Sequence, residues 1–328
     1  MIKIQYNQKS HTEKSHYYYV KNRIENNWKK MKKKAGKGDG QMSKEIQVLT
    51  KLRQALKISS GQEKEIIRQI AISPNLRKLI KTQNRWFRLA GPDVNFLSKA
   101  LTDLLDYDNF YTGLNIKVSG QTFSWNRHCL MTASNTRVCP YCGRQYITTW
   151  EGKTTSSCDH YYPKSSYPLL CINMYNLVPC CHVCNSVMKG KPESDTKSLH
   201  LNPYMDPSDC LKFKVKTKTV GGIFNISEEV TEIEVIEENI KDEAQRLRAE
   251  MSRKIFHLKE VYQYHKREAF ELRRALREEE NEKYQEIFQN NFAGLSAIHS
   301  YAFLYREREM TEEPLVKFKK DIEEQFRG

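Results

Sequence analysis

The chain has 328 residues, 39% hydrophobic and 29% charged, enough for one large domain or for a small module flanked by helical segments, and the polar balance favours the second. No stretch approaches the roughly 18 apolar residues of a membrane span, and Met1-Ile2-Lys3-Ile4 turns polar too soon for a secretory signal, so a cytoplasmic protein with no membrane segment is expected. Lys plus Arg outnumber Asp plus Glu by 54 to 40, a net charge of +14, which makes nucleic acid the leading partner class.

Residues 1–41 carry Lys29, Lys30, Lys32, Lys33, Lys34 and Lys37 around a glycine-rich stretch, and read as a mobile basic arm ending in a linker, either a phosphate clamp or a solvated tail. Residues 42–120 read as an N-terminal helical region. Ile46, Leu49, Leu52 and Leu56 recur at three-to-four spacing, and Ser60-Gly61-Gln62-Glu63 resembles a capping box opening a helix through Ile66, Ile67 and Ile70. Ser73-Pro74 starts a third helix that holds Trp86 and Phe87, and Pro92-Asp93 a fourth with Phe96, Leu97, Leu101, Leu104 and Leu105.

A cysteine-rich core follows over 121–210, then a hairpin plus helical region over 211–328. Phe213 and Val215 alternate with Lys212, Lys214, Lys216 and Lys218, and Gly221-Gly222 precedes Phe224 and Ile226, which predicts the hairpin. From about 239, Leu247, Met251, Ile255, Leu258, Tyr262, His265, Ala269, Leu272 and Leu276 follow at near-heptad spacing. That predicts one long helix whose 247–276 seam packs on residues 284–305 (Tyr284, Ile287, Phe288, Leu295, Ile298) or on a second copy of the chain, with His265 packed in the seam.

Nine cysteines without an export signal argue for reduced thiols, and Cys139 to Cys181 hold six of them, with Cys184 next. Cys139-Pro140-Tyr141-Cys142-Gly143 and Cys181-His182-Val183-Cys184 are two pairs spaced for one tetrahedral four-thiolate zinc site. Cys158, Cys171 and Cys180 read as buried thiols outside it. Between the pairs, Asp159 and His160 are neighbours on a short strand and point to opposite faces, so Asp159 can hold a hard cation while His160 faces an attacking water. Asn176-Leu177-Val178-Pro179 lies sixteen residues after His160, and Asn185 is expected to open a helix directly after the last thiolate, facing the Asp159 strand. Arg144, Lys164, Lys189 and Lys191 flank the segment as candidate phosphate contacts, and His182 points to solvent or substrate.

The series C-P-Y-C-G, D-H-x-x-P-K-S, N-L-V-P-C-C and C-N-x-x-x-x-G, with His200-Leu201-Asn202-Pro203-Tyr204 after it, resembles the HNH (ββα-metal) endonuclease superfamily over residues 136–210. Within it, the four-cysteine zinc subgroup that includes the PtuB-like nucleases of Septu antiviral defence systems is most similar. The resemblance implies an α+β, mainly helical fold: a ββα-metal core with a four-cysteine structural zinc, N-terminal helices and a C-terminal long-helix hairpin. It makes His160 the general base, Asp159 and Asn185 the ligands of one catalytic Mg²⁺ or Mn²⁺, and Asn176 the residue that holds the hairpin and orients His160. Many members have His where this chain has Asn185, and an amide oxygen suits magnesium better than an imidazole does. The implied activity is phosphodiester hydrolysis, with DNA favoured and RNA possible, as the effector of a bacterial anti-phage system with an ATPase partner. The alternative is a non-catalytic, zinc-stabilised nucleic-acid-binding subunit of a larger complex.

Overall fold

A computed structural model describes residues 1–150, 152–190, 199–220, 227–280 and 303–327, and in it the chain is α+β and mainly helical, with two-stranded antiparallel sheets. It divides into a helical unit, Gln5–Asn135 with Thr149–Pro179, and a cysteine unit, Met1–Ile4 with Thr136–Thr148 and Cys180–Gly328. The segment 121–210, expected to be one core, is therefore shared between the two. Lys191, the Gly221-Gly222 turn with Phe224 and Ile226, and the seam partners 284–298 lie outside the described residues.

The helical unit is built on α1 (Lys9–Ala35), which packs against α2 (Gly40–Ala55), α3 (Ser60–Ile72) and α5 (Val94–Leu105). Residues 1–41 are thus not a mobile arm. The buried stripe of α1 runs Thr12, Ser15, His16, Tyr19, Val20, Arg23, Asn27 and Met31, at helical spacing but largely polar. Each long polar member finds partners inside the unit. Arg23 binds Asp106 at 3.1 Å, the Asn109 carbonyl at 2.8 Å and the Tyr19 hydroxyl at 2.6 Å, and Asn27 donates to the Leu104 carbonyl at 3.1 Å. His16 donates from Nε2 to the Ile172 carbonyl at 2.7 Å and accepts the Trp125 indole N–H on Nδ1 at 3.3 Å. The expected helices of 43–106 form as α2, α3, α4 (Leu76–Ala90) and α5. The capping box sits one residue earlier than its motif, with Ser59 as the cap and Gln62 closing it. A hairpin of β1 (Leu114–Val118) and β2 (Gln121–Trp125) follows, turning at Ser119 and Gly120 with φ of 50° and 88°, a two-residue turn whose twist matches the strands. The unit ends in α6 (Arg127–Ala133), the short pair β3 (Thr149–Trp150) and β4 (Lys153–Thr154), and the pair β5 (Ser157–His160) and β6 (Leu177–Cys180).

In the cysteine unit, β7 (Leu211–Val220) and β8 (Ser227–Glu237) form the expected hairpin, with Leu211, Phe213 and Val215 buried and a register shift at Lys216/Thr217. The C-terminal helix Val316–Arg327 guards the free edge of β7: Asp321 accepts the Phe213 N–H at 3.0 Å, and the Gln325 amide bonds the Val215 N–H at 2.8 Å and its carbonyl at 2.9 Å. The long helix expected from 239 breaks into α7 (Glu243–Ile255), α8 (Leu258–Tyr262) and α9 (Lys266–Glu280). His257 is left-handed at φ 45°, and Phe256 before it stacks on Tyr141 at 4.6 Å between centroids. The seam is interrupted there. Leu247 is 51% exposed, whereas Leu258, Tyr262, Ala269, Leu272 and Leu276 are buried.

Candidate metal centre and active-site hairpin

The cysteine unit brings Cys139, Cys142, Cys181 and Cys184 together as expected. All are buried, and their Sγ atoms lie within 4.8 Å of one another. Four thiolates on one zinc at about 2.3 Å form a tetrahedron with edges of about 3.8 Å, so this donor set fits such an ion with little adjustment. Among the described residues it is the one group of three or more His, Cys, Asp and Glu donors close enough to share a metal. Local backbone explains the convergence. The first pair sits on a tight turn in which the Gly143 N–H reaches the Cys139 carbonyl at 2.8 Å, the Cys139 N–H reaches the Gln145 carbonyl at 2.9 Å, and Gly143 has φ 66°. Tyr262 fixes this turn by donating to the Cys142 carbonyl at 2.7 Å. A side chain at Gly143 would put its Cβ 3.1 Å from the Tyr262 oxygen, so a left-handed φ and a close approach both select glycine there. In the second pair the Cys184 N–H points at the Cys181 sulfur at 3.4 Å. Cys158, Cys171 and Cys180 stay outside the quartet.

The helical unit holds the other half of the motif series. β5 pairs with β6; Asp159 is its buried residue and His160 is half-buried, and as neighbours on a strand they point to opposite faces. His160 Nε2 lies 2.9 Å from the Cys171 carbonyl oxygen. A carbonyl only accepts, so Nε2 carries the proton and, in the neutral ring, Nδ1 carries the lone pair. The Tyr107 ring meets the imidazole edge-on at 4.3 Å between centroids. Burial raises Tyr107 far above an ordinary phenol and Cys158 to about 11, so both remain protonated.

Asn176 is fully buried at the start of β6 and spends its amide on the hairpin. Its Oδ1 accepts the Tyr162 N–H at 2.8 Å, and its Nδ2 donates to the carbonyls of Tyr162 at 3.1 Å and Leu170 at 3.0 Å. The Asn176 carbonyl accepts the Tyr161 N–H at 2.9 Å. The loop 161–176 is further tied to the helices: Asn173 donates to the carbonyls of Ile70 at 3.0 Å and Ser73 at 3.1 Å, Gln83 bonds Ser166 and Leu169, and Tyr6 bonds the Met174 carbonyl. The N-terminal helices thus form the mould in which His160 is set.

The remaining candidates fall in both units. Asn185 belongs to the cysteine unit, while Asp159, His160 and Asn176 belong to the helical unit. Asn185 does not open an α-helix; it lies within a six-residue π-turn, Val183–Met188, with its N–H on the Cys181 carbonyl at 3.1 Å. Arg144 donates from Nε to His265 Nε2 at 2.9 Å, and its guanidinium lies over the Tyr262 ring. His265 is therefore packed as expected, with its proton on Nδ1 toward Glu268 at 3.1 Å. Lys164 is paired with Asp108 at 2.5 Å and lies over the Tyr107 ring. Lys189 closes the π-turn through its N–H to the Cys184 carbonyl, and His182 is exposed. Sequence reading missed Tyr107 and the Cys171 carbonyl. Each acts through a contact distant in sequence that no local spacing signals. No protein-family model matches the chain, and no curated protein and no solved structure matches it.

Proposed function

We propose that this chain is a metal-dependent nuclease of the HNH kind that hydrolyses phosphodiester bonds with His160 as general base. The observation that carries the proposal is the fixed tautomer of His160. With Nε2 donating to the Cys171 carbonyl, Nδ1 is the basic nitrogen of the neutral ring and would take the proton from water, one residue after buried Asp159 and on a hairpin locked by Asn176. The water oxygen attacks phosphorus, its proton passes to Nδ1, and the bond to the departing oxygen breaks. Asp159 offers a carboxylate oxygen for a hard cation, and one or two carboxylates with water and substrate phosphate are the usual holding set for Mg²⁺. Such an ion, or Mn²⁺, supplies charge neutralisation at the phosphate and at the departing oxygen. Asn185 as a second oxygen donor is a reading of the motif alone, tested on its own by Asn185→Ala. A four-thiolate zinc would be structural, since it leaves no open position for water.

The basic balance of the chain and the motif series extend the proposal to nucleic acid, DNA first and RNA second, and to an anti-phage effector with an ATPase partner. Incubating the full chain, zinc-loaded, with labelled plasmid, single-stranded DNA and RNA tests it. Cleavage that requires added Mg²⁺ or Mn²⁺ and is lost in Asp159→Asn is expected. Binding without cleavage of any of the three would leave the non-catalytic reading in its place.

A further inference from the structure

The helical unit carries a second concave feature away from the hairpin. Lys14, Tyr17 and Tyr18 share one face of α1, Lys64 and Arg68 share one face of α3, and with the β1–β2 turn at Ser119 they border a cleft of about 660 Å³. Sites for small ligands span about 300–1,000 Å³, so the space suits one. Helix faces that meet in a fold are normally apolar; these carry rings and cations. Two carboxylates line the same walls, Glu13 bonded to the Tyr175 hydroxyl at 2.7 Å and Glu65 to the Gln69 amide at 3.0 Å, fewer than the three cations. Lys14, Lys64 and Arg68 make no ion pair among the described residues. The Tyr17 and Tyr18 rings stand 5.3 Å apart at 61°, and Tyr18 is 37% exposed.

We infer that this cleft binds a nucleotide unit, its base against Tyr17 or Tyr18 and its phosphate among Lys14, Lys64 and Arg68. An apolar ligand would cover three cations against only two carboxylates, whereas a phosphate adds negative charge, and a bare polyanion would leave the rings unused. A duplex keeps its base faces in the stack, whereas an unpaired strand or a free nucleotide offers both a π-face and a phosphate. The site stands whether or not His160 cleaves, because it shares no residue with the hairpin.

Fluorescence anisotropy of the full chain with a short labelled single strand, magnesium omitted, tests the inference. The Tyr17→Ser/Tyr18→Ser variant should bind about tenfold or more weakly, the effect of losing base stacking on an aromatic ring. Lys64→Gln/Arg68→Gln, at two exposed positions where folding is not in question, should reduce the slope of log affinity against log salt by about 1.4, at ~0.7 per neutralised phosphate. Adenosine monophosphate that displaces the strand, and whose binding falls in the same variants, would name a free nucleotide as the occupant; failure to displace it would name the strand. Variants that bind the strand like the wild type, or heparin and duplex that compete equally with no loss in the tyrosine variant, would overturn the inference.

Discussion

Removing the Asn176 side chain tests how the hairpin is held. Asn176→Ala deletes three hydrogen bonds at a position with 0% exposure, leaving the Tyr162 N–H and the Tyr162 and Leu170 carbonyls without that partner. A buried polar group that loses its partner costs about 1–3 kcal/mol, the N–H at the upper end because it is a single donor and the carbonyls, with two lone pairs each, at the lower end. The sum is a loss of about 3–5 kcal/mol, a large share of the roughly 5–15 kcal/mol that holds a domain. Urea unfolding followed by far-ultraviolet circular dichroism should show a lower midpoint with an unchanged slope. Asn176→Asp is the discriminating companion. It keeps the acceptor for Tyr162 but turns an oxygen toward two carbonyls, so near pH 7 it should be no better than alanine. Because protonation restores the donor, the folded state favours the neutral acid, and stability relative to wild type should rise as pH falls toward the ordinary carboxyl range. An alanine variant within 1 kcal/mol of wild type would refute this account of the hairpin.

Three further outcomes follow from the structure. Burial lowers His16 from 6.5 to about 4, so the unfolded chain takes up a proton first on acidification; the stabilisation is complete above pH 6.5 and lost between there and pH 4. The loss is about 3 kcal/mol at 1.36 kcal/mol per unit, and a His16→Gln chain with the same pH dependence would refute it. Native mass spectrometry should find one tightly held metal per wild-type chain, and Cys139→Ala should lose it together with the near-ultraviolet signal of Tyr141 and Tyr262; unchanged metal content would remove the four-thiolate site. Gly143→Ala should cost about 1–2 kcal/mol by thermal unfolding, since alanine is strained at φ 66° and meets the Tyr262 oxygen, and a neutral effect would show that the turn relaxes freely.

The parts of this structure that were legible are those in which one residue type recurs at one period. Leu and Ile at three-to-four spacing gave α2 to α5, Phe213 and Val215 between lysines gave the β7–β8 hairpin, and paired C-x-x-C units gave the thiolate quartet. Helix α1 was hidden because its inward stripe is His16, Arg23 and Asn27, residues that look solvated until Ile172, Asp106 and Leu104 supply their partners. The heptad from Leu247 to Leu276 ignored His257, where stacking of Phe256 on Tyr141 outweighs helix continuity. At the hairpin, the Asp159-His160 pair and Asn176 were visible as motif positions. The Cys171 carbonyl that fixes the tautomer was not, because every residue carries a carbonyl and only the fold of loop 161–176 selects this one.

The most direct test of the central claim is the cleavage rate of His160→Ala against wild type, with Mg²⁺ present and both chains carrying their thiolate-bound metal. If His160 is the base, the rate falls by about 10²–10⁴-fold while the unfolding midpoint stays within the range of a half-buried side chain. An alanine variant that cleaves at the wild-type rate would contradict the assignment of His160 and the nuclease mechanism built on it.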